Sequence, residues 1–430
     1  MKVLIIGSGG REHALAWKAR QSPLADHVYV APGNAGTALE PGITNVPIDV
    51  SDITALANFA QREAIGLTIV GPEAPLVAGL VDRFKSLGLT VFGPTQGAAQ
   101  LEGSKAFTKD FLARHDIPSA DYQTFSDTEV ALDYVRQRGA PIVIKADGLA
   151  AGKGVIVAMT LAEAEEAIRD MLSGNRFGDA GSRVVIEDFL EGEEASYIVM
   201  VDGKHVLAMA TSQDHKRIGD GDTGPNTGGM GAYSPAPVVT DEVHARVMQQ
   251  VIEPTVRGMA MEGNPYTGFL YAGLMIDTQG NPKVIEYNCR FGDPETQPIM
   301  MRMKSDLVAL CLAATRGELN QCQSEWDSRC SLGIVMAAAG YPDQYEKGAL
   351  ISGLPNPETE PEATKVFHAG TQLRGNDVLT QGGRVLCVTA LGSTVTEAQA
   401  AAYTALEKIS WPGAYFRKDI GYRAIAREKV

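Results

Sequence analysis

The amino-acid sequence predicts a multidomain protein of mixed α/β and α+β class. Its 430 residues are too many for one hydrophobic core and suggest roughly three domains. Up to about residue 103, short apolar segments alternate with segments of helical spacing, which is typical of a doubly wound parallel sheet. Beyond about residue 327 the pattern changes to strands separated by tight turns, which predicts an antiparallel, barrel-like C-terminal domain.

The composition restricts the kinds of partner. Hydrophobic residues make up 44% of the chain and charged residues 21%, as in an ordinary soluble globular protein. The 38 basic and 52 acidic residues give a net charge of -14, which argues against nucleic acid or an anionic membrane as a main partner. A local basic pocket for a phosphorylated small molecule remains compatible with this balance.

Cysteine usage and apolar segments indicate the compartment. The five cysteines form no C-x-x-C pair, so neither a disulfide framework nor a zinc site is indicated. The first apolar run is too short for the core of a signal peptide, and no later segment reaches transmembrane length. We therefore expect a cytoplasmic protein.

The N-terminal region has the pattern of a parallel sheet with a ligand-binding edge. Its predicted strands are Val3–Ile6, Val28–Ala31, Val46–Val50, Leu67–Val70 and Val91–Phe92. Helical spacing covers Glu12–Gln21, Asp52–Ala64 and Pro75–Leu87. Glycine- and proline-rich loops at residues 7–10, 32–34 and 71–75 follow three of the strands, and ligands of such sheets bind at the carboxyl ends of the strands.

The first of these loops invites a dinucleotide-binding interpretation, but the fingerprint fails twice. Glu12 occupies the sixth position of G-x-G-x-x-G, and the second strand ends in Ala31-Pro32 with no acid for a ribose. We interpret the loop as a backbone cradle for a phosphate or a sugar at the start of a helix. A tight strand-to-helix turn without a ligand is the alternative.

A lysine beside a glycine-rich hairpin marks the next candidate site. The strand Pro141–Lys145 is followed by glycines at 148, 152 and 154 and by a second strand, Val155–Ala158. Backbone N–H groups can approach phosphates closely where no side chain intervenes, and the ammonium supplies charge. The segment is not a P-loop, because Gly148 to Lys153 is one residue short and Gly154 stands where a hydroxyl is required. A solvated lysine in a flexible hairpin is the alternative.

Two later segments carry further polar candidates. The strand Val184–Glu187 runs into an acidic segment ending at Glu194, which could hold an adenine ring and a ribose diol or be only a solvated turn. The long polar loop Ser212–Tyr233 contains Asp214 and Lys216, and loops of this length are more often functional lids than connectors.

The segment from Val284 to Pro298 is the one around which the rest of the chain is organised. As a strand it would place Glu286, Asn288 and Arg290 on one face, because side chains two residues apart point the same way. A hard cation with oxygen ligands and an anionic group at the guanidinium would satisfy all three. A surface strand with solvated side chains is the alternative.

Taken in order, the motifs resemble those of the ATP-grasp enzymes, and within them the phosphoribosylamine-glycine ligase family. The segments that carry the resemblance are VLIIGSGGREHALAW, GPEAPL, VIKADGLAAGKGV, SQDHKR, NTGGMGAYSP, EYNCRFGDPETQ and FRKDIGYRA. They span essentially the whole chain. The resemblance implies a two-lobed ATP-grasp core with a small lid domain, and small-molecule substrates: ATP, glycine and phosphoribosylamine. It also implies Mg²⁺ or Mn²⁺, and we expect a monomer.

The resemblance implies roles for particular residues. ATP would meet Lys105, Lys145, Gly148, Gly152, Gly154, Glu187, Leu190 and Glu194, and the metal would meet Glu286 and Asn288. The substrates would meet Gly9, Gly10, Asn34, Glu73, Asp214, Lys216, Arg290 and Gln297. Catalysis would depend on Arg290, Lys145, Glu286 and Asp214.

One departure from the wider ATP-grasp pattern concerns the metal. Many members carry a further carboxylate on the strand before Glu-x-Asn, but Phe269–Ile276 has none, and Asp277 lies only at its end. Either Glu286 bridges two ions or another acid such as Asp214 assists.

The resemblance also suggests domain boundaries. They are an N-terminal substrate domain at 1–103, a linker helix region at 104–122, a lid at 123–194, a central domain at 195–327 and a C-terminal domain at 328–430. The implied reaction joins glycine to phosphoribosylamine through glycyl phosphate. Alternatives are another ATP-grasp carboxylate-amine ligase or carboxylase, a nucleotide-binding protein without turnover, and a hydride-transfer enzyme.

Overall fold

The computed structural model describes residues 1–149, 154–172 and 182–429. The first 92 residues contain a parallel sheet with the order β3-β2-β1-β4-β5. Its strands are β1 Lys2–Gly7, β2 His27–Pro32, β3 Ile43–Asn45, β4 Ile65–Val70 and β5 Val91–Phe92. Its helices are α1 Gly10–Arg20, α2 Ala35–Leu39, α3 Ile53–Arg62, α4 Glu73–Val77 and α5 Leu80–Ser86. This confirms the predicted parallel N-terminal sheet.

Two local predictions in this sheet are wrong. The third strand lies at Ile43–Asn45 instead of residues 46–50, where Pro47 has no N–H to donate to a strand ladder. The helix predicted over residues 75–87 is divided into α4 and α5. Gly79, with φ of 88°, separates them in the left-handed region that glycine adopts readily.

A short helical segment links this sheet to the rest of the chain. It consists of α6 Gln100–Gly103 and α7 Lys105–Arg114, and the Ser104 hydroxyl caps α7 by accepting the N–H of Phe107. Phe111 and Leu112 of α7 are buried in the core. Burial of that face fixes the direction in which Lys105 and Lys109 point.

A small antiparallel sheet follows, with the order β6-β9-β7-β8. Its elements are β6 Tyr122–Phe125, α8 Thr128–Arg138, β7 Ile142–Ala146, β8 Val155–Ala158, α9 Leu161–Leu172 and β9 Val184–Asp188. The sheet and its two helices enclose an apolar cluster of their own, drawn from residues 125–186. The small sheet is therefore packed as a separate layer.

The central part of the chain forms a second antiparallel sheet, one two-stranded hairpin and two strands that join the C-terminal sheet. Its elements are β10 Glu193–Asp202, β11 Val206–Ala208, β12 Gln213–Asp214, β13 Arg217–Gly219, β14 Thr223–Asn226, β15 Gly231–Ser234, α10 Asp241–Val247, a π-helical turn Met248–Ile252, α11 Glu253–Met261, β16 Thr267–Ile276 and β17 Pro282–Asn288. The central sheet has the order β11-β10-β16-β17. Its register sets Glu286 opposite Gly273 and Asn288 opposite Tyr271.

The C-terminal part completes a third antiparallel sheet, with the order β12-β15-β18-β22-β19. Its elements are α12 Thr296–Arg302, α13 Leu307–Thr315, a 3-10 turn Leu319–Gln321, β18 Cys330–Ala337, β19 Thr364–His368, β20 Thr371–Arg374, β21 Asp377–Thr380, β22 Arg384–Gly392, α14 Val395–Leu406 and α15 Tyr422–Glu428. The strands pair antiparallel, as predicted. The predicted barrel-like closure is not confirmed, because the sheet formed by the described residues is open at β12 and β19.

Both faces of the N-terminal sheet are buried. Leu4 and Ile6 belong to an apolar cluster that continues into the central sheet, whereas Val3 and Ile5 belong to one that continues into the C-terminal part. Alternate residues of β1 point to opposite faces, which explains the division. Within the described part of the chain, no helix is long and apolar enough to cross a membrane.

Candidate active site

A cavity of about 420 Å³ lies where the separate sheets meet. Its wall takes side chains from the N-terminal loops, the linker helix, the small sheet, the central sheet and the C-terminal sheet. The predicted site residues that line it are Glu73, Lys105, Lys145, Gly148, Gly154, Glu187, Leu190, Glu194, Asp214, Lys216, Glu286, Asn288 and Arg290. Gly152 lies outside the described residues.

One end of the cavity is built around the carboxylate of Glu187 on β9. Glu187 Oε1 lies 2.8 Å from Lys145 Nζ on the neighbouring strand β7. Its Oε2 lies 3.4 Å from Lys109 Nζ on α7. All three side chains are almost fully buried. Because a buried charge is costly without a partner, the shared carboxylate stabilises both ammonium groups in one place.

The lysines have further partners that fix their positions. Lys145 donates to the carbonyl of Ile285 at 2.8 Å, which joins the small sheet to β17. Lys109 donates to Ser119 Oγ at 2.6 Å and to the carbonyl of Ala120 at 2.7 Å. Burial lowers the pKa of Lys109 to about 8, although Glu187 opposes the shift.

Lys105 lies at the start of α7 and donates to the carbonyl of Gly148 at 2.9 Å. Burial lowers its pKa, although the charge of Glu286 acts in the opposite direction. Together with Lys109 and Lys145 it places three amines on one side of the cavity. Such an arrangement suits a polyanionic ligand such as a chain of phosphates.

The other end of the cavity carries the acidic and amide side chains of β17. Burial opposes the charge of Glu286, but Lys216, followed by Lys145 and Lys105, lowers its pKa, so the carboxylate is ionised. Lys216 Nζ lies 3.0 Å from Glu194 and 3.7 Å from Glu286. Burial disfavours this ammonium too, but the surrounding acids raise its pKa well above the ordinary value. Asn288 lines the cavity on the same strand.

Asp214 lines the cavity close to this group. Burial raises the pKa of its carboxyl to about 8, against the effect of Lys216, and Glu295 and Glu194 add to the rise. No hydrogen bond holds its carboxylate within the described part of the chain. A carboxyl group in this position can accept a cation or a proton from a ligand.

Arg290 is held by two carboxylates from other parts of the chain. Its Nε donates to Glu73 Oε2 at 3.2 Å, and its Nη2 lies 2.8 Å from Glu102 Oε1. Burial opposes the charge of the guanidinium, yet these acids raise its pKa above the usual value. Despite its own burial, Glu73 has its pKa lowered to about 2 by Arg290 and Arg11. The N-terminal sheet and the linker thus fix the orientation of Arg290.

The N-terminal loops form a tightly packed layer beside the cavity. The backbone N–H of Gly9 donates to Glu12 Oε2 at 2.7 Å. A Cβ at Gly71 would lie only 2.1 Å from Glu12 Oε1, so this side chain fills the space between the two loops. Glu12, which breaks the dinucleotide fingerprint, therefore has a structural role: its side chain packs between the two loops.

Four predicted substrate residues lie in this layer and not in the lining of the described cavity. Asn34 caps α2 and donates to the carbonyls of Ser8 and His368, each at 2.8 Å. Gly10 packs against Gln297, whose Nε2 would lie 2.4 Å from a Cβ at that glycine. Gln297 donates to Asp293, which does line the cavity. Gly9, Gly10, Asn34 and Gln297 are thus brought together with one another, one layer behind the wall.

Sequence reasoning missed several residues of the wall. Arg11, Asp293 and Glu295 line the cavity and lie within the motifs that carry the family resemblance. Their position in those motifs could have identified them as site residues. Glu102 accepts the N–H of Cys289 at 2.8 Å, in addition to its contact with Arg290. Arg384 on β22 donates to the carbonyls of Gly228 and Asp293. Glu102 and Arg384 gave no signal in the sequence, because only the fold brings them to the cavity.

Comparison with known proteins agrees with this architecture. Family models described as the phosphoribosylglycinamide synthetase N domain, ATP-grasp (A) domain and C domain match residues 1–102, 103–296 and 331–423. The chain is 73% identical over 430 residues to the phosphoribosylamine-glycine ligase of Yersinia pestis, and the match covers 100% of both chains.

Two solved structures resemble the fold over most of its length. The phosphoribosylamine-glycine ligase of Thermotoga maritima matches with a TM-score of 0.84 and 35% identity, covering 98% of this chain and 100% of that one. The biotin carboxylase domain of 2-oxoglutarate carboxylase from Hydrogenobacter thermophilus, solved with MgADP and bicarbonate, matches with a TM-score of 0.71. At 17% identity, with 96% and 91% of the chains covered, it shares the fold alone. Since the family models and the Yersinia pestis relative match along the length of the chain, it belongs to the phosphoribosylamine-glycine ligase family of ATP-grasp enzymes.

Proposed function

We propose that this chain uses ATP to join glycine to phosphoribosylamine, giving glycinamide ribonucleotide, ADP and phosphate in de novo purine biosynthesis. The observation that carries the proposal is one cavity in which buried lysines face Glu286, Asn288 and Arg290. Membership of the ligase family over the whole chain supports the choice of substrates. A cytoplasmic monomer is expected for such an enzyme.

The proposed reaction has two steps. A carboxylate oxygen of glycine attacks the γ-phosphorus of ATP, the bond from that phosphorus to the bridging oxygen breaks, and glycyl phosphate and ADP form. The ribosylamine nitrogen then attacks the carbonyl carbon, phosphate leaves with its electron pair, and the nitrogen loses a proton. No side-chain nucleophile takes part, so catalysis depends on positioning and on neutralising negative charge.

The lysine end of the cavity fits the phosphates of ATP. Lys105 and Lys145 supply charge, and Gly148 and Gly154 permit close approach of the backbone. Gly152 lies outside the described residues, and its contact with ATP stays a prediction from the sequence. Glu187 contributes by holding Lys145 and Lys109, since its two carboxylate oxygens already face those ammonium groups. The adenine then lies against the backbone that follows Glu187 and the side chain of Leu190, with the ribose at Glu194.

The donor set on β17 fits a hard divalent cation, Mg²⁺ or Mn²⁺. Glu286 is ionised and Asn288 adds an amide oxygen, and Mg²⁺ is commonly bound by one or two carboxylates together with substrate phosphates. Phosphate oxygens of the nucleotide would supply further ligands. When bound, the ion neutralises charge on the transferred phosphoryl group.

The contacts of Asp277 bear on which acid could be a second carboxylate ligand of the metal. Asp277, at the end of β16, accepts from the N–H groups of Gln279 and Asn281 at 2.8 Å each and is part of a turn. It is therefore a poor candidate for a metal ligand. Asp214 and Glu286 remain the candidates, as the sequence suggested.

The remaining candidates fit the other two substrates. Arg290 faces the glycine carboxylate or the transferred phosphoryl group, and its partner Glu73 belongs to the N-terminal wall. Asp214 and Lys216 hold phosphoribosylamine together with the N-terminal layer. In that layer Gly9, Gly10, Asn34 and Gln297 pack around the start of α1, whose residue Arg11 lines the cavity.

We propose a role for each domain from the same family resemblance and the same cavity lining. Residues 1–103 bind phosphoribosylamine, 123–194 close over ATP, and 195–327 carry the catalytic strand, with 104–122 as the linker. Residues 328–430 close the substrate end, and Arg384 supports this role because it reaches the cavity wall from β22.

The test is ADP release by the purified protein with ATP and Mg²⁺. Glycine and freshly made phosphoribosylamine are added singly and together, with alanine as a control. Release that requires both substrates, with the amide product detected by mass, is the expected result. ATP binding without ADP release in any combination would overturn the choice of acceptor and direct attention to other ATP-grasp ligases and carboxylases.

A further inference from the structure

Two of the acidic side chains in the cavity wall differ from the others in their ion pairing. Each of the other acids that line the cavity pairs with a lysine or an arginine. Across the described ranges of the chain, Asp214 and Glu295 form no such pair. Burying a carboxylate without a cation is costly, so an unpaired one in a ligand cavity indicates a cationic group on the ligand.

Of the two acids, Glu295 is better placed to bind a cationic group of a ligand. Its Oε1 accepts a hydrogen bond from Ser196 Oγ at 2.9 Å, and Ser196 in turn lies 2.9 Å from the hydroxyl of Tyr271. These buried hydroxyls fix the carboxylate, whose residue is only 3% exposed. Its Oε2 has no hydrogen-bond donor in the described part of the chain, and the residue lines the cavity. Asp214, by contrast, already has the charge of Lys216 nearby.

The charged groups around Glu295 suit a zwitterionic ligand. Arg290 lies five residues earlier on the same segment, and its guanidinium lines the same cavity. Burial opposes the charge of Arg290, and Glu295 is among the carboxylates that nevertheless raise its pKa, so the two groups are within electrostatic range. An amino acid carries its carboxylate and its ammonium on one carbon. It therefore needs a guanidinium and a carboxylate on the same wall.

We propose that Glu295, held by Ser196 and Tyr271, receives the ammonium group of glycine while Arg290 faces its carboxylate. The inference rests on the proposed function, because it takes glycine as the substrate. Glu295 then selects an amino acid over other small carboxylic acids. Its charge also keeps the ammonium away from the phosphates, so that the carboxylate is the group presented for phosphoryl transfer.

The first test is Glu295→Gln, which keeps the shape and the acceptor for Ser196 but removes the charge. Loss of one charged hydrogen bond should raise the KM for glycine by about 10- to 100-fold, with the KM for ATP and for phosphoribosylamine within about twofold. Glu166→Gln, an exposed glutamate on α9, is the matched control and should change none of these values. An unchanged KM for glycine would overturn the inference.

A second readout separates recognition from a structural effect. Glycolate carries a hydroxyl in place of the ammonium, so wild-type enzyme should bind it at least about 10-fold more weakly than glycine. Glu295→Gln should lose most of this preference, as measured by competitive inhibition. Glu295→Asp keeps the charge and should restore part of it, which gives a second variant if the amide fails to fold.

Two other outcomes would also decide the matter. A rise in the Mg²⁺ concentration required for activity, with an unchanged KM for glycine, would make Glu295 a metal ligand and overturn the inference. Wild-type enzyme that forms no amide from glycine would overturn the proposed function itself. Because that result needs no variant, it is distinguishable from a failure of the Glu295 assignment alone.

Discussion

At the end of the cavity beside the small sheet, Lys145 and Lys109 share the carboxylate of Glu187 and donate to backbone carbonyls. At the end formed by β17, Glu286 has only a long contact of 3.7 Å to Lys216, and Asp214 has no ion-pair partner within the described residues. The groups at the first end are almost fully buried and pair with one another, whereas Glu286, Lys216 and Glu194 at the second end are partly exposed.

The comparison indicates which substitutions affect folding and which affect chemistry. Removing a lysine from the first end leaves a buried carboxylate with fewer partners, so stability and ligand affinity should fall together. At the second end the Glu286 side chain is partly exposed, and without its charge Lys216 keeps the 3.0 Å contact to Glu194. Stability should then change little, while turnover should fall strongly.

The largest effect is expected for Glu286→Gln. Under the proposed function, the amide removes the negative charge that would face a metal ion at phosphoryl transfer, so turnover should fall by about 1,000-fold. The melting temperature should stay within about 2 °C of wild type, because the side chain keeps its shape. Initial rates at saturating Mg²⁺, together with calorimetry, check both parts, and near-normal turnover would remove Glu286 from the catalytic set.

A smaller loss of turnover is expected for Lys145→Ala. Loss of this ammonium should weaken ATP binding and slow phosphoryl transfer, about 100-fold in kcat/KM for ATP. Glu187 keeps only the 3.4 Å contact to Lys109, so the free energy of unfolding should also fall by about 1–3 kcal/mol.

Nucleotide titration and urea unfolding measure the two effects of Lys145→Ala. Lys283→Ala is the matched control, since that lysine is exposed on β17. If ATP affinity and rate both equalled those of wild type, the lysine end would not be the phosphate site.

Glu102→Gln should have a more moderate effect. The carboxylate holds Arg290 Nη2 at 2.8 Å and accepts the N–H of Cys289, and the amide can preserve only part of this geometry. Because Glu73 still holds Arg290 Nε, we expect about a 10-fold fall in kcat with the fold retained. Partial rescue by Glu102→Asp would support a positioning role, and an equal fall in stability and rate would indicate packing alone.

The two ends of the cavity also differ in how far the sequence could predict them. Lys145 and Glu286 were identifiable because each lies in a short motif on a strand with a clear apolar pattern, and the structure brings both into one cavity. Their catalytic roles stay predictions. Local spacing could not reveal that Glu187 faces two ammonium groups, since its pairing with Lys145 depends on the strand order β9-β7.

Residues contributed from distant parts of the chain were beyond sequence reasoning. Glu102 reaches Cys289 across 187 positions, and Arg384 reaches Gly228 across 156. The open C-terminal sheet was missed for the same reason. Its strand β18 pairs with β15 from the central segment, and no local pattern specifies that pairing.

The smallest effect on turnover is expected for Lys109→Met, which tests the lysine end through pH. The pKa of Lys109 is lowered to about 8 by burial, whereas an unfolded lysine titrates near about 10.4. Between these values the unfolded chain binds more protons, so the free energy of unfolding rises with pH there and the gain is lost as pH falls through 8. Wild type should therefore gain up to about 3 kcal/mol relative to Lys109→Met between pH 8 and 10.4. Urea unfolding of both proteins across this range measures the difference in the free energy of unfolding. If that difference did not depend on pH, Lys109 would titrate as an ordinary lysine. This end of the cavity would then be more hydrated than its contacts indicate.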